Sequence, residues 1–67
     1  MDIGTRIKRL RFEKCISQED LAKASEVSQS TVSKWEKGDT VPNAYNIVSL
    51  AKYLKVTSDY LLGLEDF

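Results

Sequence analysis

Residues 17–38, SQEDLAKASEVSQSTVSKWEKG, constrain the fold more than any other stretch of the chain. They read as two short helices around a tight turn. Ser17 can cap the first helix, which places Gln18 in its opening turn. Leu21 and Ala22 turn inward, and Glu26 and Val27 fall at the turn. Ser28 can cap the second helix. Its inward residues are Val32 and Trp35, which lie in phase on one face, so Trp35 reads as core rather than as a stacking surface. Gln29, Ser30, Thr31, Ser33 and Lys34 are left for the remaining faces.

Three further helices flank this pair. The first covers about 2–14, with Asp2 as its cap and Ile3, Ile7 and Leu10 at helical spacing. The helix-turn-helix pair occupies 18–25 and 29–37, and Gly38 can close the second member in a left-handed conformation. Residues 38–43, GDTVPN, form a loop, because Pro42 disfavours helix at Val41. Asn43 can cap a fourth helix over 44–54, where Ile47, Leu50, Ala51 and Leu54 form an inward stripe. Thr57 caps a fifth over 58–63, ended by Gly63. With no convincing strand, the expected fold is all-α: one domain, residues 1–67, of five helices.

The bulk properties exclude several classes. Sixty-seven residues make at most one domain, and a chain this short buries roughly 60% of its unfolded surface. No apolar run approaches the roughly 18 residues of a membrane span. The N-terminus, MDIGTRIKRL, lacks a secretory apolar block. A cytoplasmic location is the expectation. Cys15 is the one cysteine and there is no histidine, so neither an internal disulfide nor a usual zinc site is expected. No metal, cofactor, catalytic residue or small-molecule ligand is expected either. Nucleophile–base pairs and phosphate loops are missing, which counts against an enzyme.

Formal net charge is zero, which counts against nucleic-acid binding. The distribution partly answers this. Residues 1–37 hold eight Lys/Arg against six Asp/Glu, whereas residues 38–67 hold two against four. The positive half carries the helix pair. A short helix exposing amide, hydroxyl and amine groups suits the major groove of double-stranded DNA, where base edges offer donors, acceptors and thymine methyls. Gln29 can pair with adenine through both amide atoms, and Thr31 can offer its methyl to thymine. Ser30 and Ser33 can donate or accept, and Lys34 can reach guanine or a phosphate. Gln18, at a helix N-terminus, suits a phosphate.

Taken in order, IGTRIKRLR (3–11), SQEDLA (17–22), VSQSTVSKWEKG (27–38), PN (42–43), LAKYLKV (50–56) and SDYLLG (58–63) resemble a Cro/CI-type (XRE-type) helix-turn-helix domain, as in lambdoid phage repressors. The resemblance covers nearly the whole chain. It implies a lambda-repressor-like five-helix bundle that dimerises on a two-fold DNA site. It also implies that Gln18 contacts a phosphate, that Gln29 is the first base reader, and that Ser30, Ser33 and Lys34 face the groove. Arg11 and Glu36 match a structural pair tying the first helix to the third, outside the DNA-contact set. Tyr60 and Leu61 match positions where the fifth helix packs or dimerises. Glu26 and Lys55 stand where such domains favour glycine, at a cost of roughly 1 kcal/mol each if φ is positive. Asp39, Thr40 and Val41 stand where some relatives place basic residues, which weakens the case for phosphate contacts from that loop.

The C-terminal segment TSDYLLGLEDF carries Tyr60, Leu61, Leu62, Leu64 and Phe67, more apolar surface than so small a domain hides easily. A homodimer through Tyr60, Leu61 and Leu64 is therefore expected, acting as a repressor on a palindromic operator. The alternative is a protein-interaction module, an antitoxin or scaffold using the same bundle, which the neutral charge favours and the polar helix face opposes. A chain of this length is expected to be either a small Cro-like regulator or a fragment of something longer.

Overall fold

A computed structural model describes residues 2–64. It contains α1 (Ile3–Glu13), α2 (Gln18–Ser25), α3 (Gln29–Lys37), α4 (Ala44–Leu54) and α5 (Ser58–Leu62), with no strand among the described residues. The expected spans agree to within a residue at each end. None of these helices is long and apolar enough to cross a membrane.

Every helix starts where a short polar side chain can take a backbone donor. Asp2, Ser17, Ser28, Asn43 and Thr57 are extended, and their side chains accept from the N–H of Thr5, Asp20, Thr31, Asn46 and Tyr60. Each such cap is worth about 1 kcal/mol against alanine. All five are the residues expected from sequence.

The helices also end alike. A left-handed residue follows each one, and the next N–H reaches back five residues to close the final turn. These bonds run from Ile16 to Arg11 (2.9 Å), Val27 to Ala22 (3.0 Å), Asp39 to Lys34 (2.9 Å), Val56 to Ala51 (3.0 Å) and Leu64 to Asp59 (2.8 Å). Gly38 and Gly63 occupy two of the left-handed positions. Glu26 (φ 58°), Lys55 (φ 59°) and Cys15 (φ 56°) occupy the others. The first two carry the strain expected of them, about 1–2 kcal/mol for a side chain there. Cys15 is a third such site that the sequence did not announce.

Helix α1 packs on α3 and α5, α2 on α3 and α4, and α4 on α5. Ile7, Leu21, Val32, Leu50, Leu54 and Leu61 are completely buried at the centre, with Trp35 and Leu10 beside them. At Gly4 the backbone of α1 passes close to that of α3. A Cβ there would lie 1.9 Å from the Trp35 carbonyl oxygen and 3.0 Å from its carbon. Gly4 is thus a packing requirement that no local pattern signals.

The apolar C-terminal segment divides between core and surface. Leu61 has no exposed surface, because it is the residue of short α5 that points into the core. In the single chain it packs inward, one of the two roles the resemblance implies for this position. Tyr60 is partly buried, with the Arg6 guanidinium 4.9 Å from its ring centroid. Leu64 is 74% exposed, and Leu62 is 52% exposed beside it. Phe67 lies outside the described residues.

Candidate nucleic-acid interface

Val32 and Trp35 anchor α3 in the core, and this sets which of its residues face outward. Gln29, Ser30 and Lys34 are exposed, while Thr31 and Ser33 are half-buried at the margins of that face. The helix N-terminus is dense in hydroxyls. Ser28 Oγ accepts from the Thr31 N–H at 3.2 Å, and lies 3.0 Å from Ser30 Oγ and 2.9 Å from Thr31 Oγ1.

Behind this face runs a chain of polar contacts into the protein. Arg11 Nε donates to Glu36 Oε2 at 2.7 Å, and Nη2 donates to Oε1 at 3.1 Å. The pair is thus bidentate, the geometry that a guanidinium and a carboxylate match best. Arg11 Nη1 donates to the Ile16 carbonyl at 3.1 Å, and the Phe12 ring stacks 4.6 Å from the guanidinium. Only 11% of the Arg11 side chain and 5% of the Glu36 side chain is exposed. Burial pushes the Glu36 carboxyl pKa up. Hydrogen bonds from Arg11 and Gln18, with the charges of Arg11 and Lys8, outweigh that and hold it below the ordinary value. The expected structural pair is therefore present, tying α1 to α3.

The sequence did not predict where Gln18 would go. Its Nε2 donates to Glu36 Oε1 at 3.0 Å, and its Oε1 accepts from Gln29 Nε2 at 3.5 Å. Gln18 stands at the mouth of α2 as expected, and it also bridges the buried pair to Gln29. The structure brings Gln18, Gln29, Arg11 and Glu36 into one network. Ser30 and Thr31 gather round Ser28, and Ser33 and Lys34 follow one turn along α3. Phe12, stacked on Arg11, was also missed, although its place next to that arginine was a usable signal.

Apolar side chains are exposed on another part of the surface. Val41 is 73%, Tyr45 86% and Val48 50% exposed. Tyr45 and Val48 lie off the Ile47–Leu50–Ala51–Leu54 stripe, so the helical period could have flagged them. The loop residues Asp39, Thr40 and Val41 are all exposed and bring no positive charge. Among the described residues there is no pocket and no cluster of metal-ligating side chains.

Two short helices joined by a left-handed corner, the second with a polar outer face, define a helix-turn-helix protein. The chain belongs to the helix-turn-helix family, whose pattern it matches over residues 7–61. It is 39% identical over 67 residues to the transcriptional regulator DicA of Escherichia coli K12, covering 98% of this chain and 50% of DicA. It is 40% identical over 60 residues to repressor protein C2 of Salmonella phage P22, covering 90% of this chain and 28% of C2. The transcriptional activator BcrR of Enterococcus faecalis is 36% identical over 66 residues, covering 98% of this chain and 32% of BcrR. The chain thus spans half or less of the length of these curated relatives.

Among solved structures, the P22 c2 repressor protein in complex with a synthetic operator superposes with a TM-score of 0.91 at 37% identity, covering 97% of this chain and 98% of that one. The biofilm master regulator SinR in complex with DNA gives a TM-score of 0.80 at 33% identity, covering 88% and 95%. These relatives are named as regulators of transcription and not as enzymes.

Proposed function

We propose that this chain binds double-stranded DNA at a specific sequence and regulates transcription, as a repressor acting in the cytoplasm. The observation that carries this reading is the outer face of α3. It exposes an amide, hydroxyls and an amine, and its first reader, Gln29, is held from behind by Gln18. In this reading α3 enters the major groove, where Gln29, Ser30, Thr31, Ser33 and Lys34 meet base edges or phosphates. Gln18 contacts the backbone with the amide hydrogen that Glu36 leaves available.

Two copies would place their α3 helices about 34 Å apart on an approximate palindrome. Tyr60, Leu62 and Leu64 supply exposed or half-exposed apolar surface for that homodimer. The test is selection from a random double-stranded DNA library at about 0.15 M salt, a concentration at which non-specific binding is weak. A palindromic consensus with half-sites one turn apart is expected. No enrichment from a folded sample would favour a protein-binding module instead.

A further inference from the structure

The hydroxyls of Ser28, Ser30 and Thr31 share hydrogens under a fixed count. A serine hydroxyl has one hydrogen and two lone pairs. The Thr31 N–H takes one lone pair of Ser28 Oγ at 3.2 Å. One lone pair and one hydrogen remain for two neighbours, Ser30 Oγ at 3.0 Å and Thr31 Oγ1 at 2.9 Å. One of these hydroxyls must therefore donate to Ser28, and the other must accept from it. The donor spends its only hydrogen inward and shows lone pairs alone to the outside. The acceptor keeps its hydrogen free. Ser30 and Thr31 cannot both donate outward while the cluster is intact.

This matters because Ser30 stands exposed on the face argued above to meet DNA. An outward-donating Ser30 suits the acceptors on guanine (O6, N7) and thymine (O4). An acceptor-only Ser30 suits the amino groups of adenine (N6) and cytosine (N4). We propose that Ser28, which caps α3, is a specificity-determining residue: its hydroxyl decides which of Ser30 and Thr31 can donate to a base. The inference rests on the DNA-binding reading. It adds that part of the base preference is set by a residue that need not touch a base.

The test compares the library selections of the parent, Ser28→Asp and Ser28→Asn, all as the full chain. Asp and Asn both cap helices well, so the start of α3 is kept in each. Asp offers acceptors only and draws both neighbouring hydrogens inward. Asn offers an amide donor in nearly the same shape and releases both hydrogens outward.

At the base pair facing Ser30, the Asp variant should favour A or C on the contacted strand, and the Asn variant G or T. Because Ser30 in the parent already holds one of these two states, one variant should keep the parent's preference and the other should depart from it by about three- to tenfold in relative enrichment, the worth of one neutral hydrogen bond. The position read by Gln29 should stay unchanged. A cap with no role in specificity would leave all three consensus sequences alike, and that result overturns the proposal. Shifts in the same direction for both variants overturn it as well. If Ser28→Asn fails to fold, Ser28→Gly takes its place, because glycine is also tolerated at a cap and leaves both hydrogens free, so the two opposite states are still compared. If the folded parent enriches nothing, the DNA-binding reading itself fails, and the proposal with it.

Discussion

Replacing Gly4 by alanine pits helix propensity against packing. Inside a helix the change should stabilise by about 1 kcal/mol, because alanine loses less backbone entropy. The surroundings of Gly4 reverse the sign. The new Cβ would lie 1.9 Å from the Trp35 carbonyl oxygen, where ordinary contact begins beyond 3 Å. The helices must part by about 1 Å, since neither atom belongs to a flexible side chain. The Trp35 carbonyl is itself held, because it accepts the Gly38 N–H at 3.1 Å. Parting α1 from α3 would also stretch the Arg11–Glu36 pair, now at 2.7 Å and 3.1 Å. Overpacking of this kind costs roughly 1–3 kcal/mol, and the backbone clash puts this case at the upper end. Subtracting the propensity gain leaves a net loss of about 2 kcal/mol. In a domain of this size that lowers Tm by roughly 8–16 °C. Urea unfolding followed by Trp35 fluorescence and by far-UV circular dichroism measures it. A midpoint equal to or above that of the parent would refute the close approach of α1 to α3.

Other expectations concern single sites. Ser25 is 4% exposed and its Oγ has no hydrogen-bond partner, so Ser25→Ala should raise stability by about 1 kcal/mol in the same denaturation assay. Glu26→Gly should stabilise by about 0.5–1 kcal/mol, as relief of the left-handed strain exceeds the added chain entropy. The folded-state Glu36 carboxyl lies below its ordinary value, so its contribution is complete above the unfolded pKa, near 4.5. That contribution should fade as pH falls through the lower folded value. In Glu36→Gln, which leaves Arg11 without its charge partner and costs about 3 kcal/mol at neutral pH, this limb of the stability–pH curve should flatten. Gln29→Ala should relax base preference at one operator position by about 1–3 kcal/mol in library selection, and an unchanged consensus would remove Gln29 from the readers.

Features set by neighbours along the chain were legible in the sequence. All five caps could be read, because Asp2, Ser17, Ser28, Asn43 and Thr57 act on N–H groups three residues away. The inward stripes of α1 and α4 and the inward pair Val32–Trp35 follow from the same local geometry. The Arg11–Glu36 pair came only through the family resemblance, since 25 residues separate its members. Features that depend on how helices meet were not legible. Gly4 looks like an ordinary weak spot in a helix until the last turn of α3 is laid across it. Gln18 looks like a residue facing solvent until the α2–α3 corner turns it toward Glu36. Which residue of the last helix points inward was not legible, because Tyr60, Leu61, Leu62 and Leu64 are all apolar, and in a helix of five residues the period is too short to pick it.

Within α3, only Val32 and Trp35 are fully buried, and Glu36 completes the hold on the rest of the domain. Lys34 and the outer side of Ser30 carry almost none of the folding energy. Substitutions there can drift in evolution, or be randomised in the laboratory, with little risk to the scaffold. Gln29 and Ser28 are different, because Gln29 is bonded to Gln18 of α2 and Ser28 holds the first turn of α3 through Ser30 and Thr31. Retargeting such a domain would therefore proceed at two speeds: freely at the free positions of the helix, and at these two only with compensating change in the partners behind them.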